Sequence, residues 1–152
     1  MMSLNVLCAF LVSLSVVCAT EVTQCKATSK SKPAMTEGVL GECVTPPCAF
    51  KRGEKTWINM TFTAEGNHAK LSNNIFATMM GVRHGYPGLN GINACTFITP
   101  ACPLKNGEKY KFAIELDVKK NFPKVSVPLH FAIKDDDIGG DIACFECTIK
   151  IV

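Results

Sequence analysis

Strict alternation of apolar and polar residues marks the clearest segments of this chain. In KYKFAIELDVKKNFPK, Tyr110, Phe112, Ile114, Leu116 and Val118 alternate with Lys111, Ala113, Glu115 and Asp117. Successive side chains of a β-strand point to opposite faces, so this pattern predicts a strand with one apolar and one polar face. KTWINMTFTA does the same, with Thr56, Ile58, Met60 and Phe62 on one face and Trp57, Asn59, Thr61 and Thr63 on the other. In residues 124–134, Val125, Val127, Leu129, Phe131 and Ile133 oppose Ser126, Pro128, His130 and Ala132. Pro128 has no N–H for a sheet ladder, which predicts an edge position or a bulge there. The C-terminal ACFECTIKIV sets Phe145, Cys147, Ile149 and Ile151 against Glu146, Thr148 and Lys150.

The remaining segments are less periodic. Residues 71–82, LSNNIFATMMGV, are apolar without a clean period and fit either a strand buried on both faces or a short helix. The paired methionines there suit a core or a pliable pocket. RHGYPGLNGIN follows, rich in Gly, Pro and Asn, and reads as a loop of several turns. Residues 21–32 are polar and read as a short edge segment and loop. Several short strands with turn signals and no long helical pattern predict an all-β sandwich or barrel.

The first residues change how the chain is counted. Residues 1–19 carry an apolar run with a small residue, Ala19, at its end, which reads as a secretory signal peptide. That run is shorter than the roughly 18 residues needed to span a bilayer. Residues 20–152 then form one domain, expected to be secreted and extracellular or delivered to the endolysosomal lumen. Its formal charge of +3 is too small for a nucleic-acid footprint, so no nucleic acid is expected as a partner.

Removing the leader leaves cysteines 25, 43, 48, 95, 102, 144 and 147, which should mostly pair in an oxidising compartment. Even six cysteines allow fifteen pairings, so spacing alone does not settle connectivity. The prolines between Cys43 and Cys48 favour a local bridge, and Cys95 and Cys102 enclose another proline-containing loop. Cys147 shares its face with Phe145 and Ile149 and should point inward, whereas Cys144 has the opposite parity. The predicted pairs are Cys25–Cys144, Cys43–Cys48 and Cys95–Cys102, with Cys147 a buried free thiol. Asn59-Met60-Thr61 is a glycosylation sequon on the outward face of its strand.

Catalytic chemistry finds little support. His68, His84 and His130 have no nucleophile elbow and no metal-spaced partners. Asp135 to Glu146 matches a calcium loop at several positions, but Gly139 falls at a ligand position and the flanks alternate as strands, so a solvated hairpin is the better reading. No catalytic residue, metal or cofactor is expected.

Taken together, GECVTPPC, NMTFTA, MGV with YPG, ACPL before KYKF, NFP and the terminal CFECTIKIV resemble the Niemann-Pick type C2 family of secreted lipid binders with the ML fold. The resemblance covers nearly all of the mature chain. It implies an immunoglobulin-like β-sandwich of two antiparallel sheets with an apolar cavity between them, and the three bridges match the family's pattern. It also implies that Tyr86-Pro87, Val118 and Phe122-Pro123 form the mouth of a lipid pocket, and Asn59 matches a glycosylated position. The inward residues Phe112, Ile114, Leu116, Phe131, Phe145, Cys147 and Ile149 are its candidate lining. Departures include CKATSKSKP after the first bridge cysteine, a Cys95 loop longer by one residue, and Cys147 itself.

The function so implied is binding and transfer of a hydrophobic lipid, a sterol or a fatty acid, by a monomer without enzymatic activity. Two other uses of such a pocket are recognition of microbial lipid in innate immunity and carriage of a semiochemical. Lys119, Lys120, Lys124, Arg83 and His84 flank the proposed mouth, where they would make transient contact with anionic membranes or a lipid-handling membrane protein.

Overall fold

Ile58, Met60 and Phe62 are buried while their alternate neighbours Asn59 and Thr61 are half-buried, and the strand they form is the centre of one sheet. A computed structural model describes residues 19–152; positions 1–18 of the predicted leader lie outside the described residues. Ten strands run through it: β1 (Thr23–Gln24), β2 (Thr36–Leu40), β3 (Cys48–Phe50), β4 (Lys55–Thr63), β5 (Leu71–Met79), β6 (Val82–Gly85), β7 (Ile98–Thr99), β8 (Lys109–Asp117), β9 (Ser126–Asp135) and β10 (Gly140–Ile151). A short 3-10 turn spans Ala94–Phe97. No helix among the described residues is long and apolar enough to cross a membrane.

The strands form two layers. One sheet has the order β2-β4-β8-β7; the other runs β1-β10-β9-β5-β6, with β3 also paired to β10. All pairings are antiparallel except that of β3 with β10, which is parallel. In the first sheet Ile58 lies opposite Ile114 and Met60 opposite Phe112. In the second, Phe131 sits between Phe145 on β10 and Ile75 on β5. The apolar faces meet through Phe112, 5.4 Å from Phe131, which is 5.2 Å from Phe145. These are the spacings at which aromatic rings attract beyond their burial. Gly38 on β2 makes room for this stack, because a Cβ there would lie 3.0 Å from the Phe145 ring.

The segment 71–82 takes the strand reading over the helix, although not as a single strand. It is β5, a two-residue turn at Met80-Gly81 and the start of β6, with Met79 paired to Val82. Both turn residues have positive φ, 53° and 77°, the geometry a tight hairpin demands. The period is obscured because Leu71, Ser72 and Asn73 are all buried, by contacts on both faces. The predicted loop after it accordingly begins as a strand. Pro128 lies past Ala77↔Leu129, the last β5–β9 pair, where β9 is paired with β10 alone. Its missing N–H therefore costs no ladder bond on the β5 side.

Candidate functional site

That divergence of β5 from β9 builds the site. Beyond the Ala77↔Leu129 pair the two strands part, leaving inward-facing Met79 on one side and Val127 on the other without a pairing between them. Ile149 and Ile151 continue the same apolar surface on β10. Two connections roof it: Phe122, Pro123 and Val125 between β8 and β9, and Tyr86-Pro87 after β6. The space between them is a half-open apolar cavity of about 300 Å³, with His84 and Gly85 completing its wall.

The roof is tied down from outside the cavity. Val118 donates its N–H to Glu54 O (2.9 Å) and accepts at its carbonyl from Gly53 N, and Arg52 Nη1 donates to Phe122 O at 3.3 Å. Phe122 meets Tyr86 edge to face, with centroids 5.8 Å apart. The Tyr86 hydroxyl donates to Asp117 O at 3.0 Å, so it is satisfied by the protein. Burial, reinforced by the nearby Asp117 carboxylate, pushes the Tyr86 phenol above its ordinary range and keeps it neutral. The Lys119 ammonium, 2.7 Å away, holds the Asp117 carboxyl below its ordinary value. Once Tyr86 is engaged, His84 at the rim is the polar side chain left on the wall, and this lining suits a ligand held by burial.

Five of the predicted ligand residues, Tyr86, Pro87, Phe122, Pro123 and Ile149, come together on this wall. Val118 is buried beside the roof and anchors it by backbone bonds rather than lining the space. Phe112, Ile114, Leu116, Phe131 and Phe145 fill the sandwich with no exposure above 1%, so they act as packing next to the cavity. Cys147 is buried and unpaired, with its Sγ 3.8 Å from Cys48 Sγ, and burial pushes its thiol pKa up. The wall residues that sequence reasoning did not assign to the ligand site are Ala77, Met79, Gly85, Val125, Val127, Leu129 and Ile151. The parity of β9 and β10 contained the signal for Val127, Leu129 and Ile151. Met79 belonged to the methionine pair.

Among the rim cations, Arg83 is a correction. It neighbours His84 on β6 and therefore faces the other side of the sheet, with its guanidinium carbon 4.6 Å from the Phe76 ring centre. Lys119 is paired with Asp117, while Lys124 is exposed beside the roof. Cys25–Cys144, Cys43–Cys48 and Cys95–Cys102 are disulfides. Asn59 is half-buried on the outer face of β4, opposite Ala113 on β8. Among the described residues, the metal-donor cluster with all ligating atoms within 4.8 Å is Cys25, His130 and Cys144. The bridge occupies both of its sulfurs.

Near the β9–β10 turn, at the far end of the sandwich, His68 Nδ1 meets Asp135 Oδ2 at 2.6 Å, with both side chains buried. Burial alone would raise the Asp135 carboxyl, but hydrogen bonds from His68 and from the N–H groups of Ile138 and Asp137 outweigh it. Its pKa is net lowered. The turn is the predicted hairpin, with residues 136–139 exposed, and the buried Asp135 carboxylate clamps its base.

Comparison with known proteins gives a consistent result. The family model described as ML domain matches residues 19–151. The mite group 2 allergen Der f 2 of Dermatophagoides farinae is 31% identical over 146 residues, covering 95% of this chain and 92% of the allergen. NPC intracellular cholesterol transporter 2 homolog a of Drosophila melanogaster is 29% identical over 104 residues, 68% of this chain and 69% of the fly protein. The crystal structure of a Niemann-Pick type C2 protein from Japanese carpenter ant superposes with a TM-score of 0.71 at 19% identity. It covers 87% of this chain and 99% of the ant protein, a likeness of fold.

Proposed function

The chain belongs to the ML-domain family, and we propose that it is a secreted lipid carrier that holds a sterol or a fatty acid in the cavity between β5, β9 and the Phe122 roof. The observation that carries this reading is an apolar cavity whose one buried hydroxyl is already satisfied by the protein. Such a wall discriminates little by hydrogen bonding, so affinity comes from burial at roughly 25 cal/mol per Å². The relative named as an intracellular cholesterol transporter supports a lipid as the cargo.

Volume bears on which lipid. At roughly 30 Å³ per group, the share of a water molecule or a methylene, the resting cavity holds about ten such groups. An alkyl chain of that length fits as the walls stand. A sterol enters when the half-buried side chains of Met79 and Phe122 swing aside. The protein acts as a monomer without catalysis, and exposed Lys124 at the rim contacts anionic lipid during transfer, worth about 1 kcal/mol.

Mass spectrometry of lipid co-purifying with natively expressed protein tests the proposal. Recovery of stoichiometric sterol or fatty acid supports it. Protein that stays lipid-free and takes up neither from vesicles refutes it.

A further inference from the structure

The outer face of the six-stranded sheet carries a second hollow unlike the first. The segment after β1 folds over β5, β9 and β10 and leaves a polar groove of about 630 Å³. Gly140 lets this roof close, since any Cβ there would overlap the Lys30 backbone. Ser31 Oγ accepts from the Asp141 N–H at 3.0 Å. Cys25 lines the groove and is half-buried, whereas its bridge partner Cys144 is fully buried beneath it.

We propose that this groove admits a small anionic thiol of the glutathione type, and that Cys25 is a site of reversible S-thiolation. Access decides which sulfur is attacked, because a molecule in the groove reaches Cys25 and cannot reach Cys144. The leaving sulfur has a prepared neighbour. His130 Nε2 lies 3.4 Å from Cys144 Sγ, and the ring stacks on Phe76 with centroids 4.3 Å apart. Asp141 at 2.9 Å and Glu146 at 3.2 Å hold the two ring nitrogens. Burial opposes the charged form of this imidazole, and those two carboxylates more than offset it, so its pKa is raised. A cation beside a sulfur stabilises the thiolate as a leaving group.

The other two bridges lack this arrangement. Cys43 Sγ faces Thr45 O at 3.6 Å and Cys95 Sγ faces Ala69 O at 3.8 Å. A carbonyl oxygen disfavours developing negative charge. The groove also suits the anionic part of the ligand. Lys26, Arg83 and Lys134 line it, and its two carboxylates, Asp141 and Glu146, are engaged by His130. Arg83 has no carboxylate partner among the described residues, and Lys134 reaches Asp136 only at 4.0 Å.

The step balances without an oxidant. The incoming thiol ionises, its sulfur bonds to Cys25 Sγ, and the Cys25–Cys144 bond breaks. The electron pair stays on Cys144, which takes a proton from His130. Attack of the Cys144 thiolate on Cys25 Sγ reverses the step and expels the thiol, whereas a second equivalent of thiol releases the first as its disulfide and leaves both cysteines reduced.

Incubation of the oxidised protein with glutathione, acid quench, alkylation and peptide mapping tests this. The expected product carries glutathione on Cys25 and alkyl on Cys144, forming about tenfold faster than adducts at the other bridges. His130→Gln should slow that product about tenfold, read on protein that is still folded although its melt is lowered by loss of the Asp141 and Glu146 contacts. Arg83→Gln should slow glutathione but not neutral 2-mercaptoethanol. Should His130→Gln not fold, the competition among the three bridges in the unaltered protein still decides. Adducts that appear first at Cys43, Cys48, Cys95, Cys102 or Cys144 overturn the proposal, as does a folded His130→Gln protein that reacts at the original rate.

Discussion

The two ends of strand β9 carry the same kind of inward residue and meet opposite fates. At one end Phe131 and Ile133 are fully buried between β10 and β5, with Phe112 of the facing sheet against the Phe131 ring. At the other, Val127 and Leu129 look into an empty apolar space. Side-chain chemistry does not separate them. The difference lies in the neighbours: β5 accompanies β9 as far as Leu129 and then turns away through Met80-Gly81, and aromatic rings fill only the end where both strands remain. A pocket in this sandwich is therefore made by ending a strand pairing early. It does not require a special lining residue.

Substitutions placed along this one strand can break that comparison. Phe131→Ala removes the ring at the centre of the packed end, and denaturant unfolding should show a loss of about 3–5 kcal/mol. A loss under 1 kcal/mol would mean the packed end is as slack as the open one. Ile133→Phe and Val127→Phe add similar bulk to the same face. The first should cost about 1–3 kcal/mol by overpacking. The second should stay within about 1 kcal/mol of the parent while abolishing lipid uptake, because it occupies the cavity.

The clamp at the packed end adds a pH dependence. Asp135 is held ionised below its ordinary range, so its contribution is present above the unfolded value of about 3.9 and is lost as pH falls through the lower folded value. Asp135→Asn should be less stable at pH 7 by about 1–3 kcal/mol. Its stability should also fall less steeply with acid, so that the two curves converge at low pH. The smallest expected effect concerns the open end. Each methylene added to a fatty acid should improve binding by about 0.8 kcal/mol, roughly fourfold, until about ten groups fill the space.

The strands were legible where period two survives: β4 and β8 keep one face toward solvent, and so do β9 over residues 126–130 and β10 over residues 146–150. β5 was not, since Asn73 and Ser72 are buried by polar contacts to the 86–93 connection and to Asp136. A residue such as Asn73, donating to Leu89 O, looks like a surface residue in sequence and is a core residue in space. The portal residues Tyr86 and Phe122 were visible only through family resemblance, because an aromatic before a proline has no periodic signature. Val127 and Phe131 share parity and chemistry, so no pattern could say that one lines a cavity and the other fills a core. That distinction depends on where β5 leaves, which is set by a turn. Arg83 and His84 were both assigned to the mouth because adjacent loop residues carry no facing information; as members of β6 they face opposite sides.

The central claim is that lipid occupies the space left where β5 parts from β9. Photo-crosslinking with a fatty acid carrying a terminal diazirine, followed by peptide mapping, tests it most directly. The account predicts adducts on Met79, Val125, Val127, Leu129 or Ile151, competed away by unlabelled lipid. Competable adducts confined to the outer groove around Arg83 and Lys134, or none above the level of a Val127→Phe control, would contradict it.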